Sequence, residues 1–100
     1  MAQQEMILIE TLCTHYEIEV SFVDTLSSLG LIEVHTLEET QFIPEDKVGD
    51  LERMIRIHQD LQVNPEGIDV IFNLLRKVDE LKSELAAAKK RLKRYELEDE

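Results

Sequence analysis

The N-terminal part of the chain begins with a short apolar run and continues with a helical pattern of apolar residues. The run over residues 6–9 predicts a strand or an extended lead-in. From Glu10 to Tyr16 there is room for about two helical turns, in which Leu12, Cys13 and Tyr16 have core-facing spacing. We therefore expect a short strand or extended segment followed by a short helix.

A second helical pattern follows a turn over residues 17–19. It predicts a helix from about Val20 to Leu29, and Gly30 has the position that ends a helix, because glycine adopts a positive φ at little cost. Two short helices joined by such a turn are typical of a helix-turn-helix. The predicted apolar stripe of this helix consists of Phe22, Val23, Leu26 and Leu29.

Strand-like alternation over residues 31–35 predicts a β-hairpin after the second helix. Residues 41–43 are expected to return beside that strand, and the polar stretch 36–40 is expected to form the tip of the hairpin. A hairpin at this place in the chain resembles the wing of a winged-helix domain.

A third helix is predicted after the hairpin. Pro44 suits its first turn, where a missing N–H is no loss, and Glu45 and Asp46 suit its positive amino end. Gly49 lowers helix stability by about 1 kcal/mol relative to alanine, so we expect a frayed start. The apolar face of this helix consists of Val48, Leu51, Met54, Ile55, His58 and Leu61.

The C-terminal part carries an unbroken heptad pattern. Asn64 and Pro65 are residue types favoured at the cap and at the first position of a helix. We therefore divide the chain into a head, residues 1–63, and a coiled-coil dimerisation helix, residues 64–100. The seam positions, whose spacings alternate between three and four, are Ile71, Leu74, Val78, Leu81, Leu85, Ala88, Leu92 and Tyr95.

This long helix needs a partner for its apolar seam. A helix of about 36 residues extends about 54 Å, which is farther than so small a head can cover. We therefore expect a homodimer. The basic cluster within residues 89–94 favours an antiparallel pair, because parallel helices would place two such clusters side by side. The cluster itself is interpreted as a solvated helix surface rather than a nucleic-acid site.

Charge is segregated along the chain. The 100 residues carry a net charge of −11, and the first 46 contain no lysine and no arginine. All eleven basic residues lie from Lys47 onward. The first part should therefore repel phosphate and attract basic surfaces. Its ten acids are Glu5, Glu10, Glu17, Glu19, Asp24, Glu33, Glu38, Glu39, Glu45 and Asp46.

Several classes of function have no support in the sequence. No apolar run approaches the ~20 residues of a membrane span, and residues 1–5 lack the basic start of a secretory signal. Cys13 is the single cysteine, so we expect a cytoplasmic protein without an intrachain disulfide. Cys13 and His15 point about 200° apart on a helix. We expect no metal site, no cofactor and no enzymatic activity.

Three segments carry a family resemblance. They are residues 9–15 (IETLCTH), residues 29–33 (LGLIE) and residues 56–68, where RIHQDL is followed by PEGI. Over about residues 6–95 the chain resembles the CbpM-like chaperone modulators of the MerR-like winged helix-turn-helix superfamily. The resemblance implies a mainly α fold, in which a MerR-like winged helix-turn-helix head with a small β-hairpin wing precedes a long C-terminal coiled-coil helix.

The resemblance also implies a partner. CbpM-like proteins bind the J-domain of a DnaJ-like co-chaperone, CbpA, and restrain its work with the chaperone that it serves. This implies a regulatory protein-binding module that inhibits a DnaJ/CbpA-like co-chaperone. J-domains present a basic helix, which an acidic head would complement. Our partner-binding candidates, chosen by charge and expected exposure, are Glu17, Glu19, Asp24, Glu33, Glu38 and Glu39.

Two alternatives remain open from the sequence. The order of elements also suits a MerR-type transcription regulator that binds DNA, and the composition suits an adaptor with an unrelated partner. DNA binding is disfavoured because the helix over residues 20–29 offers no lysine or arginine for phosphates, and the wing carries Glu38 and Glu39.

Overall fold

The computed structural model describes residues 5–98; residues 1–4, which include most of the N-terminal segment considered above, and residues 99–100 lie outside it. The protein is mainly helical with a small antiparallel sheet and a long C-terminal helix, so the predicted mainly α class with a β-hairpin wing is confirmed. The elements in chain order are β1 (Met6–Leu8), α1 (Ile9–Tyr16), α2 (Val20–Ser28), β2 (His35–Leu37), β3 (Thr40–Pro44), a 3-10 turn (Glu45–Lys47), α3 (Val48–Leu61) and α4 (Pro65–Glu98).

The buried core draws on all four helices and on β3. Ile9 begins α1, Ile43 lies in β3 and Ile68 lies in the first turn of α4, and each is at most 1% exposed. Removing this apolar surface from water is the main force that holds short elements of this kind together. The buried hydrophobic residues within the described range are Ile9, Cys13, Phe22, Val23, Leu26, Ile32, Ile43, Leu51, Met54, Ile55 and Ile68.

The predicted apolar faces of α1 and α2 are largely confirmed. Cys13 is buried on α1, whereas Leu12 and Tyr16 are half-buried. On α2 the first three stripe residues are buried, and Leu29 lies just beyond the helix and is half-buried. The helical period of the sequence therefore identified the correct side of both helices.

The predicted face of α3 needs one correction. Leu51, Met54 and Ile55 are buried, and Val48 and His58 are half-buried, as expected for that face. The assignment of Leu61 to the buried face was wrong, because its side chain is 68% exposed. The physical reason is that α3 ends at Leu61 and the next residue turns the chain with a φ of 59°.

The sheet has three antiparallel strands in the order β1-β3-β2. Ile7 lies opposite Ile43, and His35 lies opposite Phe42. The predicted N-terminal strand is therefore confirmed, and its partner is the second strand of the hairpin. This pairing joins β1 to the hairpin that forms the wing.

Pro44 ends β3 rather than beginning a helix, which corrects the sequence-based placement. It pairs with Met6, and the N–H of Glu45 donates to the carbonyl of Glu5 at 2.8 Å. Successive N–H groups of a strand point to opposite sides, so the nitrogen of Pro44 faces away from β1. On that side β3 is paired with β2 only as far as Phe42, so no strand lies beside Pro44. The missing N–H of Pro44 therefore removes no hydrogen bond between strands.

The hairpin also begins later than predicted. The strand expected over residues 31–35 contains β structure only from His35 onward, because the chain before it is used to end α2. Gly30 has a φ of 78°, its N–H donates to the carbonyl of Ser27, and the N–H of Leu31 donates to the carbonyl of Leu26, both at 3.0 Å. These two bonds define a Schellman motif, which confirms the predicted role of Gly30.

The tip of the hairpin is shorter than the predicted stretch 36–40. Leu37 pairs directly with Thr40, so only Glu38 and Glu39 form the turn. Their φ values are 49° and 66°, and positive φ at both central positions is typical of a type I′ turn. The twist of this turn suits paired strands, which allows β2 to extend to Leu37.

The beginning of α4 agrees with the sequence. Pro65 is its first residue, and the side-chain oxygen of Asn64 accepts a hydrogen bond from the N–H of Gly67 at 2.8 Å, as a helix cap does. The chain separates into two compact units, with the boundary between Asp69 and Val70. The predicted functional division at residues 63/64 stays a prediction.

Candidate protein-interaction site

The six acids proposed for partner contact are all exposed and lie in separate elements of the head. Glu17 and Glu19 lie in the turn between α1 and α2, and Asp24 lies within α2. Glu33 precedes β2, and the remaining two, Glu38 and Glu39, form the tip of the wing.

Glu17 and Glu19 line one groove of about 460 Å³. Glu17 adopts a left-handed conformation with a φ of 56°, and the N–H of Ile18 donates to the carbonyl of Cys13 at 3.0 Å, so that α1 ends in a Schellman-type turn. This turn fixes the backbone between the two carboxylates. The residues that line the groove are Glu17, Ile18, Glu19, Phe22, His58, Gln59, Gln62 and Asn64.

The other wall of the groove is the end of α3. The ring of His58 stacks on Phe22 with a centroid distance of 4.4 Å and an interplanar angle of 29°. Nδ1 of His58 lies 2.8 Å from the carbonyl of Val63, a contact in which the protonated Nδ1 donates. The histidine that the sequence placed on an apolar face therefore joins α2 to the segment that follows α3.

A second contact joins α1 to α3 beside the same groove. The side-chain amide of Gln59 donates to the carbonyl of Tyr16 at 2.9 Å. The hydroxyl of Tyr16 forms a hydrogen bond with Glu52, which raises the pKa of Tyr16. The walls are thus linked by side-chain contacts between residues more than thirty positions apart.

Asp24 and Glu39 lie on the side of the head where α2 approaches the wing. The side-chain amide of Gln41 donates to Asp24 at 3.2 Å. Glu39 lines a shallow depression together with Glu10 and Gln41. Burial, and after it the negative charges of Asp24 and Glu10, raise the pKa of the Cys13 thiol. This side of the head therefore combines several acids with a buried thiol whose pKa is raised.

Glu33 lies apart from the other candidate acids. Its carboxylate lies 3.3 Å from Nε2 of His35, and it lines a depression that also includes Lys47 and Asp50. The structure therefore brings Glu17 together with Glu19, and Asp24 toward the wing, but it does not collect all six acids into one pocket.

Six residues that line the groove were not predicted as binding candidates from the sequence: Ile18, Phe22, His58, Gln59, Gln62 and Asn64. Phe22 and His58 were assigned to apolar faces, and nothing in their spacing shows that α2 and the end of α3 meet. The only sequence signal was the placement of a histidine at a helical apolar position, which by itself more often marks a core residue.

The predicted dimerisation residues lie along α4 with much of their apolar surface exposed. Leu74, Leu81, Leu85 and Leu92 are between 56% and 62% exposed, and Val78 is 44% exposed. Ile71 is half-buried, whereas Ala88 and Tyr95 are exposed. A row of large apolar side chains left in water at heptad spacing is a surface that another helix could cover.

Among residues 5–98 no cluster of three or more histidine, cysteine or acidic side chains has the arrangement of a metal site. No helix in the described part of the chain is both long and apolar enough to cross a bilayer.

Comparison with known families identifies the fold. The family model described as "MerR HTH family regulatory protein" matches residues 7–90, which include the helix-turn-helix, the wing and most of α4. The chain belongs to the MerR helix-turn-helix family. The family match extends over both the head and most of the heptad-patterned helix.

Within the MerR family the chain is CbpM-like. It is 28% identical over 86 residues to the chaperone modulatory protein CbpM of Pseudomonas entomophila (strain L48), with 85% of each chain covered. It is 29% identical over 86 residues to the protein of the same name from Pseudomonas putida (strain W619), again with 85% coverage. A CbpM of Escherichia coli O139:H28 is 26% identical over 84 residues, with 83% coverage. These relatives carry the name of a modulatory protein and not of an enzyme.

Proposed function

We propose that the protein is a chaperone modulator that binds the J-domain of a DnaJ/CbpA-like co-chaperone and inhibits it. The observation that carries the proposal is the acidic head. All six candidate acids are exposed, and no lysine or arginine occurs before Lys47 in the sequence. Similarity to proteins named chaperone modulatory protein CbpM supports the choice of partner class.

The physical basis of the proposal is electrostatic complementarity. A basic helix approaching the head meets carboxylates from the turn between α1 and α2, from α2 and from the wing tip. Such complementarity accelerates encounter and rejects partners of the wrong charge, and salt screens it. Occupying the basic helix of the J-domain would block its use by the chaperone, which is how binding becomes inhibition. We place this activity in the cytoplasm, where a lone thiol such as Cys13 stays reduced.

We propose further that two copies of the chain pair through α4 as an antiparallel homodimer. The seam from Ile71 to Tyr95, which is exposed from Leu74 onward, supports this, because each seam residue covered by another helix loses apolar contact with water. The dimer would present two acidic heads, one for each J-domain.

Membership of the MerR family favours DNA binding as the second candidate function. The side chains that α2 exposes argue against it. Ser21 and Ser28 are exposed and neutral, and Asp24 would face phosphate with a negative charge. Without lysine or arginine on this helix there is no counterion release to support affinity. We therefore retain the J-domain as the proposed partner.

The proposal is tested by titrating the full chain with a J-domain from the same organism at low and at moderate salt. A variant with Glu17, Glu19, Glu38 and Glu39 changed to lysine should lose binding with an unchanged circular dichroism spectrum. The matched control carries the same number of reversals on α4, at Asp79, Glu80, Glu96 and Glu98, and should retain affinity within about fivefold. Equal affinity of wild type and head variant would contradict the acidic interface.

A further inference from the structure

The groove between the α1–α2 turn and the end of α3 combines an apolar floor with an acidic rim. Phe22 is 9% exposed and Ile18 is half-buried. Glu17 and Glu19 are exposed at the edge, and both line the groove. A surface of this kind suits a ligand group that has an apolar stem and a charged end.

The charge of the groove is negative because its carboxylates dominate. α1 and α3 end at the groove, while α2 and α4 begin there. The negative partial charges of two helix carboxyl ends therefore offset the positive partial charges of two amino ends. No lysine or arginine lines the groove. Within residues 5–98 neither Glu17 nor Glu19 forms an ion pair, and Glu19 accepts one hydrogen bond, from the hydroxyl of Ser21 at 3.2 Å. Two carboxylates therefore remain available to an incoming cation.

The walls of the groove are held before any partner arrives. Gln59 is bonded to the carbonyl of Tyr16, and His58 is bonded to the carbonyl of Val63 while its ring stacks on Phe22. A preformed site avoids part of the entropy cost of ordering side chains on binding. The groove thus has the rigidity expected of an anchor point within a larger interface.

We infer that this groove receives one long cationic side chain, lysine or arginine, from the basic helix of the partner. The aliphatic stem lies over Phe22 and Ile18, and the cation lies between the carboxylates of Glu17 and Glu19. Long basic side chains bury their methylene stems on apolar surface in this way while their charged ends stay with acceptors. The inference rests on the proposed function and assigns the groove as the anchor within the wider acidic surface.

Two matched double variants distinguish binding in the groove from the general effect of negative charge on the head. Glu17→Gln/Glu19→Gln removes two neighbouring charges from the groove. Glu38→Gln/Glu39→Gln removes two neighbouring charges from the wing tip, which is equally exposed and does not line the groove. Against a J-domain of the same organism, the groove pair should weaken affinity by roughly 30-fold and the wing pair by no more than about fivefold. Equal losses in the two variants would overturn the groove as the anchor while leaving the acidic surface in place.

A small-molecule titration tests the groove without the partner. The ¹⁵N-labelled full chain is titrated with N-acetylarginine amide, N-acetyllysine amide and, as the uncharged control, N-acetylnorleucine amide. Amide shifts confined to residues 17–22 and 58–64 are expected from the two cationic probes, with dissociation constants in the millimolar range, and should vanish in Glu17→Gln/Glu19→Gln. Equal shifts from all three probes, or none at the groove, would refute the inference.

The two experiments distinguish the ways in which the ideas can fail. If wild-type protein binds no J-domain but the cationic probes shift the groove residues, the proposed function falls and the groove stands as a site for basic side chains. If the J-domain binds but the probes leave the groove unchanged, the function stands and the anchor falls.

Discussion

Three of the six acids proposed for partner contact adopt left-handed backbone conformations. Glu17, Glu38 and Glu39 have φ values of 56°, 49° and 66°. A residue with a Cβ atom pays roughly 1 kcal/mol for this conformation, which glycine adopts freely. Strained positions of this kind persist where the surrounding structure imposes them and are frequent at functional sites. Carboxylates at three such positions, in two turns, therefore agree with a role in contacting a partner.

Glu45, which is not one of the six candidate acids, makes the stability of the folded protein depend on pH. A hydrogen bond to Glu5, the negative charge of Glu5, slight desolvation and Asp46 together raise the pKa of Glu45 above its usual value. The folded state therefore binds more protons than the unfolded state between the ordinary and the raised pKa. Stability should fall as pH rises through this window, and the loss should be complete once the pH is well above the raised pKa.

Glu45→Gln tests this at the residue scale. The variant should be more stable than wild type at pH 7, because the glutamine amide donates to Glu5 and removes a like charge. The difference should disappear in acid, below the ordinary glutamate pKa, where wild-type Glu45 is protonated in both states. Urea unfolding of both proteins at pH 7 and in acid measures this difference in the free energy of unfolding. Added salt should shrink the neutral-pH difference because the pair is exposed; a difference independent of pH would refute the explanation.

At the scale of the elements, the two glycines that lie inside helices have opposite roles. A Cβ atom at Gly49 in α3 would meet nothing within 4 Å. A Cβ atom at Gly67 in α4 would lie 2.6 Å from Cγ1 of Val63 and 3.1 Å from the capping oxygen of Asn64. Gly49 is therefore a cost in helix propensity, whereas Gly67 leaves room for the turn that begins α4.

The prediction for α3 and α4 is a pair of substitutions with different outcomes. Gly49→Ala should raise the free energy of unfolding by about 1 kcal/mol, the difference in helix propensity between the two residues. Gly67→Ala should fail to stabilise, because the new methyl group forces Val63 or Asn64 to move. Denaturant unfolding of the two variants beside wild type measures both values. Equal stabilisation by both substitutions would mean that the cap at Asn64 tolerates the methyl group.

Much of the element pattern was predictable because local rules govern it. The helical period located α1, α2 and α3, Gly30 marked the end of α2, and Asn64 with Pro65 marked the start of α4. The wing was placed too early because the chain before His35 ends α2, and its tip was predicted too long because Glu38 and Glu39 occupy a turn that usually selects asparagine or glycine. Leu61 was wrongly assigned to the buried face of α3, because the helix ends there and Gln62 provides a left-handed turn.

The groove was beyond the reach of sequence patterns. Its two walls, residues 17–22 and 58–64, lie about forty positions apart in the chain and meet only through tertiary packing. The candidate acids Glu17 and Glu19 were identified by charge alone. Their neighbours Phe22 and His58 carry spacing typical of core residues, so no local signal distinguished a groove wall from the core.

At the scale of the whole molecule, the two compact units present different surfaces. The unit that ends at Asp69 carries the buried core and the exposed acids, while the unit from Val70 onward carries exposed leucines at heptad spacing. The first surface is suited to a charged partner and the second to another helix. We therefore expect partner binding and dimerisation to be separable by mutation.

Flanking charges distinguish between two registers of the proposed antiparallel pair in which Leu81 lies next to the twofold axis. When Val78 faces Leu81 of a second copy, Lys77 lies beside Glu84 of that copy, and the twofold axis repeats the pair. A shift by one heptad makes Leu85 of one copy face Leu81 of the other. This register brings the two copies of Glu84 beside each other, and likewise the two copies of Lys82, so that like charges meet. Leu81 lies next to the axis in the favoured register, where a substitution acts on both copies at the centre of the seam.

Leu81→Asp should therefore convert the dimer to a monomer. The change removes a large apolar side chain from each copy and places two carboxylates near the axis, which should weaken the dimer by at least about 3 kcal/mol, roughly a hundredfold in its dissociation constant. Sedimentation equilibrium should give twice the 11.7-kDa chain mass for wild type and a single mass for the variant. Ser83→Asp, which adds the same charge on the outer face of α4, should remain dimeric. A wild-type chain that sediments as a monomer would refute the seam, and a monomeric Leu81→Asp that still binds the J-domain would establish that the head alone carries recognition.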